Sequence, residues 1–130
     1  EMTDTHGLAY WNELMTRDLP KARAYYAEIC GWTYQEMAMP DGALYVLAMK
    51  DGKPMAGMME IPGAEERSYV APHWHSYFAV DDVDAAVAAS LAQGGTLNGP
   101  VFDIPGTGRI AMMTDPTGAE VGLMTPEAMG

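Results

Sequence analysis

The feature that most constrains this chain is that it is written twice. The first half contains Leu14-Met15-Thr16-Arg17-Asp18, a helical stretch, Gly31, short strand-like runs and a turn at Asp51-Gly52. The second half contains Phe78-Ala79-Val80-Asp81-Asp82, a helical stretch, Gly94-Gly95, extended segments and a turn at Asp115-Pro116-Thr117-Gly118. Each half reads as one strand, one helix and about three more strands. Self-similarity at this scale decides architecture before any single residue does. A unit of this size is too small to bury a full core of its own, so two copies are expected to pack together with a ligand between them.

Local chemistry agrees with the repeat. Residues 8–17 alternate as a strand, with Leu14 and Thr16 on one face and Trp11, Glu13 and Met15 on the other. Asp18 is placed to cap a helix near 19–30, Pro20 is tolerated in its first turn, and Gly31 stops it. Ala22, Tyr25 or Tyr26, and Ile29 recur along it at helical spacing. Strands are expected near 32–38, 43–49 and 54–61, joined by turns at Pro40-Asp41-Gly42 and Lys50-Asp51-Gly52-Lys53. The polar stretch 62–72 reads as a linker. The second copy starts with a strand near 74–80, where Ser76, Phe78 and Val80 share a face opposite His75, Tyr77 and Ala79. Asp82 is expected to cap a helix near 83–93 with the stripe Val83, Val87 and Leu91. Strands near 96–104, 108–114 and 119–125 complete it. The expected fold is one α+β domain over residues 1–130: module one at about 8–61, the linker, and module two at about 73–125. Leu14, Phe78 and Val80 are expected beneath the helices.

Composition removes several function classes. Hydrophobic residues make up 48% of the 130 residues, which rules out global disorder, and no apolar run approaches a membrane span. The net charge of −11 argues against nucleic acid, whose phosphates would be repelled. The lone Cys30, expected as a buried thiol, and the lack of a basic-then-apolar leader point to the cytoplasm. No phosphate-binding loop, dinucleotide fingerprint or nucleophile elbow is present.

With these residues placed, the chain resembles the vicinal oxygen chelate superfamily of glyoxalases, bleomycin resistance proteins and extradiol dioxygenases. The likeness rests on Leu14-Met15-Thr16-Arg17-Asp18, Ala22 to Tyr26 and Gly31-Trp32, then Tyr77-Phe78-Ala79-Val80-Asp81-Asp82-Val83-Asp84-Ala85, Gly94-Gly95, Gly108-Arg109 and Asp115-Pro116-Thr117-Gly118-Ala119. It covers about Gly7 to Pro126, and the opening Trp11-Asn12-Glu13-Leu14 is like that of small glyoxalase-like proteins. The resemblance implies two βαβββ modules curled into an eight-stranded cup with the helices outside, and commonly a homodimer.

In the metal-dependent members, the resemblance further implies a divalent ion held by His, Gln or Glu from the first and last strands of each module. Carried over by motif spacing, those four places fall on Trp11, Gly57, His75 and Gly122. A slip of one residue would match Trp11 with Trp74; the register using His75 preserves the apolar face. Trp and Gly offer no side-chain donor, so the family's standard metal site is not expected. The remaining place for a divalent metal is the pair His73 and His75.

Strand parity then names what lines the cup: Trp11, Glu13 and Met15; Met55, Gly57 and Met59; His75 and Tyr77; Glu120, Gly122 and Met124. Several of the chain's 12 methionines fall there, where flexible thioethers fill a core or mould to an apolar ligand. Glu13 between Trp11 and Met15 is the candidate general base, desolvation pushing its pKa upward, unless a cation such as Arg109 pairs with it. His75 and Tyr77 are the candidate orienting or proton-donating groups. Arg109, the only cation after Arg67 against seven acids, is a candidate for an anionic ligand group or a salt bridge. His6 is expected to be exposed. The leading expectation is a small-molecule-binding protein that moves a proton on an organic substrate. The alternatives are a ligand-sequestering protein without turnover, and a metal-dependent lyase or dioxygenase drawing on His73, Glu13 and Glu120.

Overall fold

The structure, a computed structural model, describes residues 4–39, 42–61 and 71–127. It packs as two compact units, Trp11–His75, and Glu1–Tyr10 together with Ser76–Gly130. The expected linker lies outside the described residues except for its last two positions, as do Pro40 and Asp41.

Module one runs β1 (Ala9–Thr16), α1 (Leu19–Cys30), β2 (Thr33–Ala38), β3 (Leu44–Lys50) and β4 (Lys53–Glu60). Its strands lie in the order β2-β3-β4-β1, with β1 parallel to β4 and the other pairs antiparallel. The turn from β1 into α1 is closed by side chains: Thr16 Oγ accepts the Asp18 N–H at 3.2 Å, and the Asp18 carboxylate accepts the Lys21 N–H at 3.0 Å. Gly31 ends α1 at φ 71°, a conformation that costs a residue bearing Cβ. Asp51 and Gly52 both take positive φ, the geometry a two-residue hairpin needs, and Lys50 pairs with Lys53. Leu14, Leu19, Val46 and Met58 form the core beneath α1, flanked by Ala22, Tyr26, Trp32 and Tyr34. The expected helical stripe breaks at its end. Trp32 stacks on Tyr26 at 5.4 Å between ring centroids, filling the space near the last turn, and Ile29 stays exposed. Cys30, expected to be buried, is exposed as well.

Module two runs β5 (His73–Ala79), α2 (Val83–Ala92), β6 (Thr96–Leu97), β7 (Phe102–Ile104), β8 (Gly108–Thr114) and β9 (Glu120–Pro126). The order is β5-β9-β8-β6, with β7 also paired to β8. Among the described residues, the strand expected over 96–104 is two short strands, β6 and β7, the latter paired to β8 alone. Gly99 at φ 97° followed by Pro100 interrupts the ladder, so four steps from Asn98 to Phe102 match only two on β8, from Met112 to Ile110. The Asp82 carboxylate caps α2 by accepting the N–H groups of Asp84 and Ala85. The Asp115 carboxylate closes the last turn by accepting from the N–H of Thr117 and Ala119 and from the Thr117 hydroxyl.

Val83, Val87, Ala111 and Met113 make the second core, with Val80, Leu97, Val101, Val121 and Leu123 around it. Phe78 was expected there but is 38% exposed. It pairs with Leu123, on the expected face, whereas α2 packs chiefly on β6, β8 and β9. Leu91, the end of the expected α2 stripe, is exposed as well. His6 is half-buried, not exposed, and its Nδ1 accepts the Asp81 N–H at 2.9 Å. No helix among the described residues is long and apolar enough to cross a membrane.

Candidate functional site

In the first module, the parallel pairing of β1 and β4 sets Glu13 beside Gly57 and Met15 beside Met59. Trp11, Glu13 and Met15 are all half-buried, on the opposite side from the fully packed Leu14 and Thr16. Alternation along one strand thus produces an inner core and a separate face bearing a single carboxylate among apolar groups. Met55 stands at the open end of β4 and is exposed.

Tyr45 on β3 belongs to this face and sequence reasoning passed over it. Leu47 is the register partner of Gly57, so Tyr45 sits two positions along, within diagonal reach for an aromatic ring. The ring crosses above Gly57: a Cβ added there would overlap the Tyr45 hydroxyl and ring carbons. The Trp11 indole N–H donates to the Tyr45 oxygen at 2.9 Å and holds the ring in place. Alternating Tyr45, Leu47 and Met49 carries the parity signal, but only the register of three strands shows which glycine the ring covers.

The second module repeats the device. Tyr77 and Gly122 are register partners on β5 and β9, and a Cβ on Gly122 would run into the Tyr77 ring. Tyr77 is 8% exposed and Met124, beside Ala79, is also buried. Both side chains pack this module from within. Glu120 is exposed at the start of β9.

His75 is 4% exposed. His73 is exposed, its Nδ1 lies 2.8 Å from the Ala71 carbonyl oxygen, and the two imidazoles are 6.5 Å apart between centroids. Among the described residues, no three His, Cys, Asp or Glu side chains come together as a metal-binding group. The steric fit points the same way. Positions 57 and 122, which in the family would carry donors, each lie under a tyrosine ring. The residues present do not fit the family's four-donor metal site.

Arg109 does not stand ready for an anion. Its guanidinium is held by Asp84 at 3.0 and 3.2 Å and by Asp103 at 2.8 Å, tying β7 and β8 to the first turn of α2. The Asp84 hydrogen bond, and then the charge of Asp103, raise its pKa further. Desolvation raises the Tyr34 phenol pKa against the opposing charge of Arg23, and its hydroxyl donates to the Arg23 carbonyl at 2.9 Å. An open cleft of about 730 Å³ in the first module is lined by Leu19, Pro20, Arg23, Leu44, Met59 and Glu60. It lies beside the first turn of α1 and shares only Met59 with the Glu13 face, so its size alone does not make it the functional site.

Residues 8–123 match the model of the Glyoxalase/Bleomycin resistance protein/Dioxygenase superfamily, and the chain belongs to that family. It is 40% identical over 119 residues to CFP32 of Mycobacterium bovis, named as a candidate glyoxylase. It is 29% identical over 124 residues to the anthracycline biosynthesis protein DnrV of Streptomyces peucetius. These alignments cover 90% and 87% of the chain but only 45% of either relative, so the chain spans about half their length. Among solved structures, methylmalonyl-CoA epimerase from Mycobacterium tuberculosis superposes with a TM-score of 0.67 at 19% identity, covering 97% of both chains. That likeness establishes the fold alone.

Proposed function

We propose that this chain binds a small organic molecule on the Glu13 face of its first module without the family's metal, and that Glu13 moves a proton on it. The observation that carries this reading is one half-buried carboxylate in register with Gly57 and flanked by Trp11, Met15, Met59 and Tyr45. A carboxylate positioned beside a bound substrate can take a proton from its C–H, the role of a general base. Glu13 would take the proton, the C–H electron pair would pass into an adjacent carbonyl as an enolate, and the proton would return to carbon. His75 is the proposed orienting group. The relatives named for glyoxylase and for anthracycline biosynthesis are in keeping with a small organic ligand. We propose a homodimer on the family likeness, and a cytoplasmic location on the single cysteine, Cys30.

The second reading is sequestration without turnover. It is favoured by the apolar groups on the face, where an indole and the thioethers of Met15 and Met59 stand around Glu13. A thermal-shift screen of uncharged and anionic organic compounds should identify a stabilising ligand, and Glu13→Gln separates the two readings. Proton transfer requires hydrogen–deuterium exchange or isomerisation of that ligand, slowed about 10²–10⁴-fold by the substitution with binding retained. Binding with no exchange in either protein would leave sequestration.

A further inference from the structure

We infer that Gly57 with Tyr45, and Gly122 with Tyr77, are coupled exchanges in which a tyrosine ring has taken the volume of a metal-ligand side chain. This deepens the metal-free reading above by supplying its steric cause. Glycine at the two inherited places is not simply a lost donor. At Gly57 the added Cβ would meet the hydroxyl, Cζ and Cε2 of Tyr45, and at Gly122 it would meet three ring carbons of Tyr77. Any donor-bearing residue starts with that same Cβ, so no single substitution at 57 or 122 restores a ligand while the ring remains.

The two modules reach this state by different routes. Tyr77 covers its own cross-strand partner, an aromatic ring laid over a glycine. Tyr45 comes from the neighbouring strand on the diagonal and is held by the Trp11 indole N–H at 2.9 Å. Trp11 itself occupies a third inherited ligand place, so in module one both former ligand positions now serve the placement of one phenol. In both modules the space a Cβ would take at the inherited ligand place is filled by a tyrosine ring, reached through different strand geometry.

The test is a pair of stability cycles that need no ligand. Gly57→Ala should lower the thermal midpoint by roughly 4–12 °C, the range for overpacking a formed core. In the Tyr45→Ala background the same substitution should cost less than half as much, because the opposing ring is gone. Tyr45→Phe, which removes only the hydroxyl nearest the added Cβ, provides a milder background and should give partial relief. Gly122→Ala with and without Tyr77→Ala forms the second cycle. Equal losses in both backgrounds, or a neutral Gly57→Ala and Gly122→Ala, would overturn the inference. Titration of Zn²⁺ alone into the unaltered protein should show no saturable site of one ion per chain. Such a site, lost on His75→Ala, would overturn it too. A screen that finds no organic ligand would sink the functional reading and leave the cycles standing.

Discussion

Replacing Trp11 by phenylalanine keeps a ring on the Glu13 face and removes one donor, which makes it a sharp probe of how Tyr45 is held. The bond lost is the indole N–H to the Tyr45 oxygen at 2.9 Å, partly buried and joining strands 34 residues apart in sequence. A net contribution of about 0.5–1.5 kcal/mol is ordinary for such a bond. The smaller ring leaves a partial void costing up to roughly 1 kcal/mol more. For a chain of 130 residues, 1 kcal/mol corresponds to a shift of about 4 °C in the unfolding midpoint, so Trp11→Phe should lower Tm by roughly 2–10 °C. Tyr45→Phe removes the acceptor instead. Urea denaturation of both single variants and the double variant closes a cycle whose coupling should be about 0.5–1.5 kcal/mol. Additivity within about 0.3 kcal/mol would refute the claim that this bond positions the phenol over Gly57.

Met58 is fully buried in the first core, and Met58→Ala should cost about 2–5 kcal/mol by chemical denaturation, with loss of cooperative unfolding as the visible extreme. Hydrogen bonds from the Thr117 hydroxyl and from the N–H groups of Ala119 and Thr117 lower the pKa of Asp115, so its carboxyl resonance should titrate below an ordinary aspartate. A depressed carboxyl stabilises the fold above its unfolded pKa and loses that contribution as pH falls through the folded value. The penalty of Asp115→Ala should accordingly be full at neutral pH and shrink on acidification below 3.8. The proposed homodimer predicts a light-scattering mass of twice 14.0 kDa at micromolar concentration, and a mass of one chain would reject it.

Much of the architecture was legible in particular residues. Asp18 and Asp82 announced both helices because a carboxylate before an apolar periodic run has one common use, capping free N–H groups. Asp51-Gly52 announced a hairpin because few dipeptides tolerate two positive φ angles in succession. The matching of Glu13 to Tyr77 in the repeat reappears in their partners, Gly57 and Gly122. What could not be read was how far each element extends over its neighbours. Phe78 has the right parity for a core residue and is exposed, α2 packing chiefly on β6, β8 and β9; Arg109 has the chemistry of an anion receptor and is occupied by Asp84, 25 residues away, and by Asp103, its cross-strand partner on β7.

The sequence by itself determined the repeat, the caps, the turns and the face on which Glu13 stands, because each depends on periodicity or on a side chain reaching a few residues along its own chain. Tertiary structure alone decided that Tyr45 belongs to that face and that Gly57 and Gly122 are shielded positions. A glycine in a strand is silent about its neighbours. Its meaning comes from what fills the space a Cβ would take, and that volume is occupied by a ring from another strand, brought there by register.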